Sequence, residues 1–230
     1  MKNINKEIML NIDKIYICHW SKLSNRKEKL IEHLSTLGIS DYEWVEVYDK
    51  DNWNLIEIVK QYTKIFEADE NGRLHKISEI SLLLKHCWIL KDAYKKYKSV
   101  LVLEDDAILT NDFINRFNNY KSQLPEDWDL AWVGTCCGLH AGIVNNQNVY
   151  RMNGSRCTHS FIISQKCIEK VVDSIEEFAK YPSDFFYNKL INKFNLNNWW
   201  FEPSLAIQNS EFQTTIQNDV NWKISLNKNN

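Results

Sequence analysis

Apolar and polar positions along this chain follow two periods, and the switches between them mark out its elements. Lys14-Ile-Tyr-Ile-Cys18 is a short apolar run and predicts a first strand. Ser24 stands where an N-cap belongs, for a helix through Leu37 that Gly38 would end. Tyr42 to Val47 alternates apolar with acidic residues and predicts a second strand, and Asn52 to Phe66 predicts a helix. After the polar turn from Glu67 to Arg73, a long helix runs from Ser78 to about Lys96, with Leu82, Leu83, His86 and Leu90 on one face. The run from Ser99 to Leu103 is short and dominated by Val and Leu, so it predicts a buried strand. Asn111 to Gln123 predicts a helix with Pro125 at its exit. Trp128 to Val133 predicts a strand ending at Gly134, and residues 135–148 a loop long enough to fold over a site. Strands are expected at Val149–Met152 and Thr158–Ser164, and helices at Gln165–Phe178 and Asp184–Phe194. A last strand runs from Trp199 to Ile207, where Pro203 argues for an edge or a break.

Strands alternate with helices in the first half and cluster before helices in the second. That order predicts an α/β fold with a mixed, mostly parallel central sheet flanked by helices. The 230 residues suit one domain over 1–218 with a polar tail at 219–230. A hydrophobic content of 44% supplies a core, and 25% charged residues exclude global disorder. The net charge of −2, without a basic block, argues against nucleic-acid binding. Several of the six cysteines lie inside apolar runs and read as buried free thiols, and no CxxC pair suggests a zinc ribbon. The first ten residues do not read as a signal peptide, and no stretch reaches transmembrane length. A cytoplasmic, reducing location is the expectation.

The chemistry concentrates at the end of the apolar strand, where Glu104, Asp105 and Asp106 follow one another. Adjacent carboxylates repel, and burial without a partner raises their pKa values. A hard divalent cation, Mg²⁺ or Mn²⁺, offsets such a cluster. Ligands of open α/β sheets also bind beyond the carboxyl ends of the strands. A solvated acidic loop is the plainer alternative. No G-x-G-x-x-G follows the first strand, and there is no Walker A, G-x-S-x-G or H-E-x-x-H motif. What remains, a carboxylate cluster after a central strand, does not by itself choose between nucleotide-sugar transfer, in which a metal held by carboxylates meets a nucleotide diphosphate, phosphoryl chemistry and a plain cation site.

Several segments, in order, resemble glycosyltransferase family 25, which includes bacterial lipooligosaccharide and collagen galactosyltransferases. Ile15-Tyr-Ile-Cys-His19 followed by Arg26 resembles the family's opening strand and Arg-bearing helix. Val45-Glu-Val-Tyr-Asp49 resembles its second strand, and Ser78-Glu79-Ile80 through His86 its Ser-Glu…His helix. Leu101-Val-Leu-Glu-Asp-Asp106 resembles its L-E-D-D strand, and Asp129 to Gly134 the strand after it. Ser160-Phe-Ile-Ile-Ser164, Pro182-Ser-Asp184 and Pro203 to Gln208 resemble later elements. Ser81, Lys85 and the pair His159-Ser160 depart from the pattern.

The resemblance implies a GT-A-type nucleotide-sugar-binding fold, Mn²⁺ (or Mg²⁺), and a UDP-sugar donor carrying galactose or glucose. The acceptor would be a hydroxyl of a glycan or of hydroxylysine, and transfer would invert. It makes Asp106 the foremost metal ligand, with Glu104 and Asp105 holding metal, ribose or sugar hydroxyls. Arg26 would meet the diphosphate, Asp49 the nucleoside, and Asp184 would be the catalytic base. Each has a plainer reading. Arg26 could belong to the basic face of Lys22, Lys27 and Lys29; Asp184 and Glu79 could be helix caps; His86 could be a core histidine; His159 could be a plain hydrogen-bonding group; and Trp199-Trp200 could be core. A phosphohydrolase or nucleotidyltransferase using the same carboxylates, or a non-catalytic UDP- or glycan-binding module, are the competing functions.

Overall fold

The computed structural model describes residues 9–51, 55–68, 72–142, 147–209 and 212. In chain order the elements are β1 (Lys14–Cys18), α1 (Ser24–Thr36), β2 (Glu43–Val45), α2 (Leu55–Gln61), α3 (Ile77–Ala93), β3 (Ser99–Glu104), β4 (Ala107–Leu109), α4 (Phe113–Lys121), β5 (Leu130–Trp132), β6 (Gly134–Thr135), β7 (Val149–Arg151), β8 (Ser160–Ser164), α5 (Gln165–Val171), α6 (Ile175–Phe178), α7 (Ser183–Phe194), β9 (Asn198–Phe201) and β10 (Ala206–Gln208). Short 3₁₀ turns follow α2 and α5.

Seven strands form the main sheet in the order β2-β1-β3-β8-β5-β9-β7. β8 and β7 run against the other five, so the sheet is mixed and mostly parallel, as the order of elements predicts. Side chains alternate between two cores. Tyr16, Val100, Val102, Leu130, Trp132, Phe161 and Ile163 pack with α3, α5 and α7. Ile15, Ile17, Leu101, Leu103, Ala131 and Ile162 pack with α1 and α4 on the other face. Burial on both faces is why β3 is continuously apolar.

Two pairings place the end of β3. The parallel register sets Cys18 beside Glu104, so the residues that follow, His19 and Asp105, also meet. The antiparallel register sets Leu103 beside Ser160, so the residues leading into β8 pass the strand end, and Glu104 N–H donates to His159 O at 3.0 Å. A second sheet, β4-β10-β6, closes over this rim.

Several boundaries differ from expectation. Ser24 is the first residue of α1 rather than its cap, and Leu23 precedes it with no side-chain cap bond. Residues 165–178 break into α5, a 3₁₀ turn and α6. The last strand divides at Glu202 and Pro203 into β9 and β10, which join different sheets. Part of the 52–66 segment, at 52–54, and the tail at 219–230 lie outside the described residues. Cys18, Cys87 and Cys167 are buried free thiols, whereas Cys136 and Cys157 form a disulfide that the free-thiol reading did not include.

Glu79 takes the capping role. Its carboxylate accepts from Lys76 N–H at 2.9 Å and from Arg73, closing the N-terminus of α3. Burial works against its charge, but the hydrogen bonds from His75, Lys76 and Arg73 prevail and hold its pKa down to about 2, from an ordinary 4.5. His86 is a core histidine, stacked on Phe161 and edge-on to Tyr187, and burial pushes its pKa down to about 3. Gly134 is fixed by contact: a Cβ there would stand 2.1 Å from His159 Nε2.

Two stability measurements check these points. Glu79→Ala should cost about 1 kcal/mol in urea unfolding at neutral pH. Because the folded pKa of Glu79 is depressed, that contribution is full above about 4.5 and fades as pH falls toward 2, so the two unfolding curves should converge in acid. Gly134→Ala should cost about 1–3 kcal/mol through overpacking, and His159→Ala in the same chain should recover part of that loss.

Candidate active site

The rim beyond β3 carries three carboxylates in three different situations. Asp105 is fully engaged: its Oδ1 accepts from Arg26 Nη1 at 2.9 Å and its Oδ2 from His19 Nδ1 at 2.7 Å. Arg26 is therefore not part of a solvated basic face. Lys22 and Lys29 are exposed, but Arg26 turns inward from the first turn of α1, with its Nη1 also 3.7 Å from Asp106. Its guanidinium lies over the Phe212 ring.

Glu104 and Asp106 lack such compensation. Glu104 accepts one hydrogen bond, from Thr158 Oγ1 at 2.7 Å. Burial, followed by the negative charges of Asp106, Asp184 and Asp105, pushes its pKa well up. Asp106 Oδ1 is buried and has no hydrogen-bond partner. Burial and then Asp105 push the Asp106 pKa up to about 6, against the opposing pull of Arg26 and of Gln208 from β10.

Asp184 reaches the same region from the first turn of α7. Thr158 links the two sides, since its Oγ1 also lies 3.0 Å from Ser183 Oγ. Pro182 occupies the N-cap position. The Asp184 Oδ1 is buried without a hydrogen-bond partner, and burial, opposed by hydrogen bonds from Thr158, raises its pKa. The structure thus brings Asp184 within electrostatic reach of Glu104, across a separation of 80 residues that no local pattern foretells.

A cleft of about 660 Å³ opens in front of the rim, lined by His19, Trp20, Arg26, Lys50, Lys85, Glu104, Asp105, Asp106 and Gln208 among others. Its lining carries both signs of charge: Glu104, Asp105 and Asp106, with Arg26 paired to Asp105, and Lys50 and Lys85, the latter paired to Asp49. The Lys50 ammonium sits over the Trp20 ring at 4.1 Å. Asp49 lies behind this cleft, on an adjoining one with Ser21 and Tyr48. Its carboxylate accepts from Lys85 Nζ at 2.6 Å and from Ser21 N–H at 2.9 Å. Burial opposes its ionisation, but Lys85 and Ser21 outweigh burial and hold its pKa low.

His159 is fully buried, with its ring against Gly134. Burial, opposed by the Ala206 backbone, lowers its pKa to about 4, so the ring is neutral at neutral pH. Trp200 is buried and donates from Nε1 to Gly154 O, which makes it a core residue.

The carboxylates of the rim do not make a finished metal cage. Among the described residues, the only three acidic, histidine or cysteine ligand atoms within 4.8 Å of one another are cysteine sulfurs, not carboxylates. An orphaned carboxylate oxygen beside a second under-compensated carboxylate fits Mg²⁺ or Mn²⁺ bound through one or two carboxylates and completed by water and substrate phosphate.

Sequence reasoning missed His19 as the partner of Asp105, Thr158 as the bridge, and Gln208 as a neighbour of Asp106. Each arrives from another strand or strand end, so no spacing along the chain signals it.

No family model and no curated protein matches the chain. Among solved structures it is similar to a glycosyltransferase involved in the glycosylation of the major capsid of PBCV-1, at 11% identity over 85% of this chain and 92% of that one, with a TM-score of 0.49. It is similar to A197 from STIV at 12% identity over 84% and 81%, TM-score 0.43. It is also similar to mouse xyloside xylosyltransferase 1 at 10% identity over 80% and 63%, TM-score 0.37. Likenesses this distant carry no argument about activity, which rests on the geometry above. The resemblance to glycosyltransferase family 25 likewise stands on its sequence segments alone.

Lys85→Met removes the cation from a buried pair and leaves Asp49 uncompensated. Chemical denaturation should show a loss of about 3 kcal/mol, partly recovered when Asp49→Asn is added.

Proposed function

We propose that this chain is a divalent-metal-dependent glycosyltransferase of GT-A type, moving a hexose from a UDP-sugar to a hydroxyl of a glycan or hydroxylysine acceptor with inversion. The observation that carries the reading is the buried, unpartnered Asp106 Oδ1 beside Glu104, in a cleft that Arg26, Lys50 and Lys85 also line. A phosphohydrolase could use the same carboxylates. A cation-lined cleft beside an acidic rim suits a diphosphate leaving group, and the family-like segments add to that reading.

Asp106 and Glu104 would hold the ion. When bound, it supplies Lewis-acid stabilisation of charge on the diphosphate. The chain's own groups do the rest. Arg26 is held in place by Asp105 and presents a guanidinium toward the cleft, a geometry suited to phosphate oxygens. Lys85 and Lys50 add positive charge along the same wall, and the Trp20 ring offers a surface beside them. Asp49 fixes Lys85 from behind, and its proposed part is to meet the nucleoside. Asp184 would take the acceptor proton at its unpartnered Oδ1, and its raised pKa gives it more basicity than an ordinary aspartate. Thr158 fixes Glu104 relative to the start of α7. Among the described residues no helix is long and apolar enough to cross a membrane.

The test is a thermal-shift and product assay with UDP-galactose and UDP-glucose, with and without Mn²⁺. Wild type should be stabilised by donor only when Mn²⁺ is present, and should release UDP plus glycoside. Asp106→Asn should lose both effects. The same variant should melt higher than wild type without ligand, because a repelled carboxylate has been removed. Transfer that persists in chelator would sink the metal assignment. Inorganic phosphate or pyrophosphate as the product would replace the reading with the hydrolase or nucleotidyltransferase.

A further inference from the structure

Three sulfurs at the same rim take no part in the chemistry above. Cys136 directly follows β6, and Cys157 directly precedes Thr158 and His159, which lead into β8. The two are joined in a disulfide. Cys137 keeps a free, exposed thiol, and its Sγ lies 3.3 Å from Cys136 Sγ. All three sulfurs lie within 4.8 Å of one another. A disulfide needs two sulfurs. A third, solvent-accessible and in contact with the bond, is what thiol–disulfide exchange requires.

We propose that Cys137 is an exchange thiol for the Cys136–Cys157 disulfide, so that the covalent tie between the 134–142 segment and the start of β8 is reversible. In the exchange, Cys137 loses its proton to water and its thiolate attacks Cys136 Sγ. A Cys136–Cys137 bond forms and the Cys136–Cys157 bond breaks. The electron pair leaves with Cys157, which takes up a proton. Two sulfurs are oxidised before and after, so no outside oxidant or reductant is consumed. A small thiol such as glutathione can also enter. One molecule opens the disulfide as a mixed disulfide, and a second completes reduction, leaving protein thiols and glutathione disulfide.

The position gives the exchange a target. Before it, the 134–142 segment is bonded to the residue next to Thr158, whose hydroxyl holds Glu104 at 2.7 Å. After it, the new bond lies within one segment and that tie is gone. Arg156 then remains as the neighbouring link, donating to Leu139 O at 2.7 Å and pairing with Glu202 at 2.6 Å. The class of ligand this site takes is a low-molecular-weight thiol.

The full-length oxidised chain tests this. It is held at mildly alkaline pH without reductant, quenched in acid, blocked with N-ethylmaleimide and digested with trypsin. Trypsin cuts after Arg151 and Arg156, so Cys136 and Cys137 leave in one peptide and Cys157 in another. The linked peptide pair reports the Cys136–Cys157 bond. An unlinked first peptide lighter by two hydrogens reports the exchanged bond. Wild type should accumulate the unlinked form, whereas Cys137→Ser and Cys137→Ala should show the linked pair alone. Full reduction by glutathione should be on the order of tenfold slower in both variants. The proposal fails if wild type stays entirely linked, if the variants open at the wild-type rate, or if the isolated protein carries one zinc ion on three reduced thiols. Circular dichroism of the variants confirms that the exposed substitution leaves the fold intact.

Discussion

Everything at the rim of this sheet answers to one constraint: carboxylate charge in excess of the cations available to meet it. β3 can cross the molecule only by being apolar on both faces, and it ends in Glu104, Asp105 and Asp106 where the cores stop. One of the three is settled, because the parallel register to β1 delivers His19 and the first turn of α1 delivers Arg26 to the same carboxylate. Arg26 cannot serve twice at full strength; it reaches Asp106 only at 3.7 Å. Glu104, Asp106 and Asp184 are left in a poorly solvated place, and burial pushes each toward its protonated form, joined at Glu104 by the charges of Asp106, Asp184 and Asp105 and at Asp106 by that of Asp105. A fold optimised for stability alone would not keep three such groups together. Their persistence beside a cleft with cationic walls is the physical basis for reading the rim as a site.

The same constraint explains which residues could be read from the chain and which could not. The buried strand, its carboxylate end and the alternation of strands with helices are local patterns, and the mixed, mostly parallel sheet follows from them. Glu79 was also legible as a cap, and the group it closes is the amide of Lys76, just before the helix begins at Ile77. His19 and Thr158 were not legible. Nothing in Cys18-His19 says that β1 will lie in register with β3, and nothing before β8 says that it will enter the sheet reversed. Those two register facts put an imidazole on Asp105 and a hydroxyl on Glu104. The break at Glu202 and Pro203 was half legible: proline argued against a continuous strand, but only the second sheet shows that the chain leaves β9 to run beside β4 and bring Gln208 to Asp106.

The pairing of cysteines escaped the sequence for the same reason. Cys136 and Cys157 are separated by 21 residues and meet because β6 ends where β8 begins. Apolar surroundings marked several cysteines as buried free thiols, which Cys18, Cys87 and Cys167 are, and gave no sign of this contact.

Two links of different chemistry therefore hold the 134–142 segment against the carboxylate rim. Arg156 is wholly buried, and its guanidinium is satisfied by Glu202 and by the carbonyls of Leu139 and Phe201, while Glu202 also accepts from Ala141 N–H. A buried ion pair with all its hydrogen bonds made has no cheap way to open, since separating it strands a charge in the interior. The sulfur link sits at the exposed end of the same segment, where water and small thiols can reach Cys137. Opening it frees the turn at 136–138 while Arg156 keeps residues 139–141 in place. The motion this permits is local, and its nearest consequence lies one residue beyond Cys157, at the hydroxyl that holds Glu104.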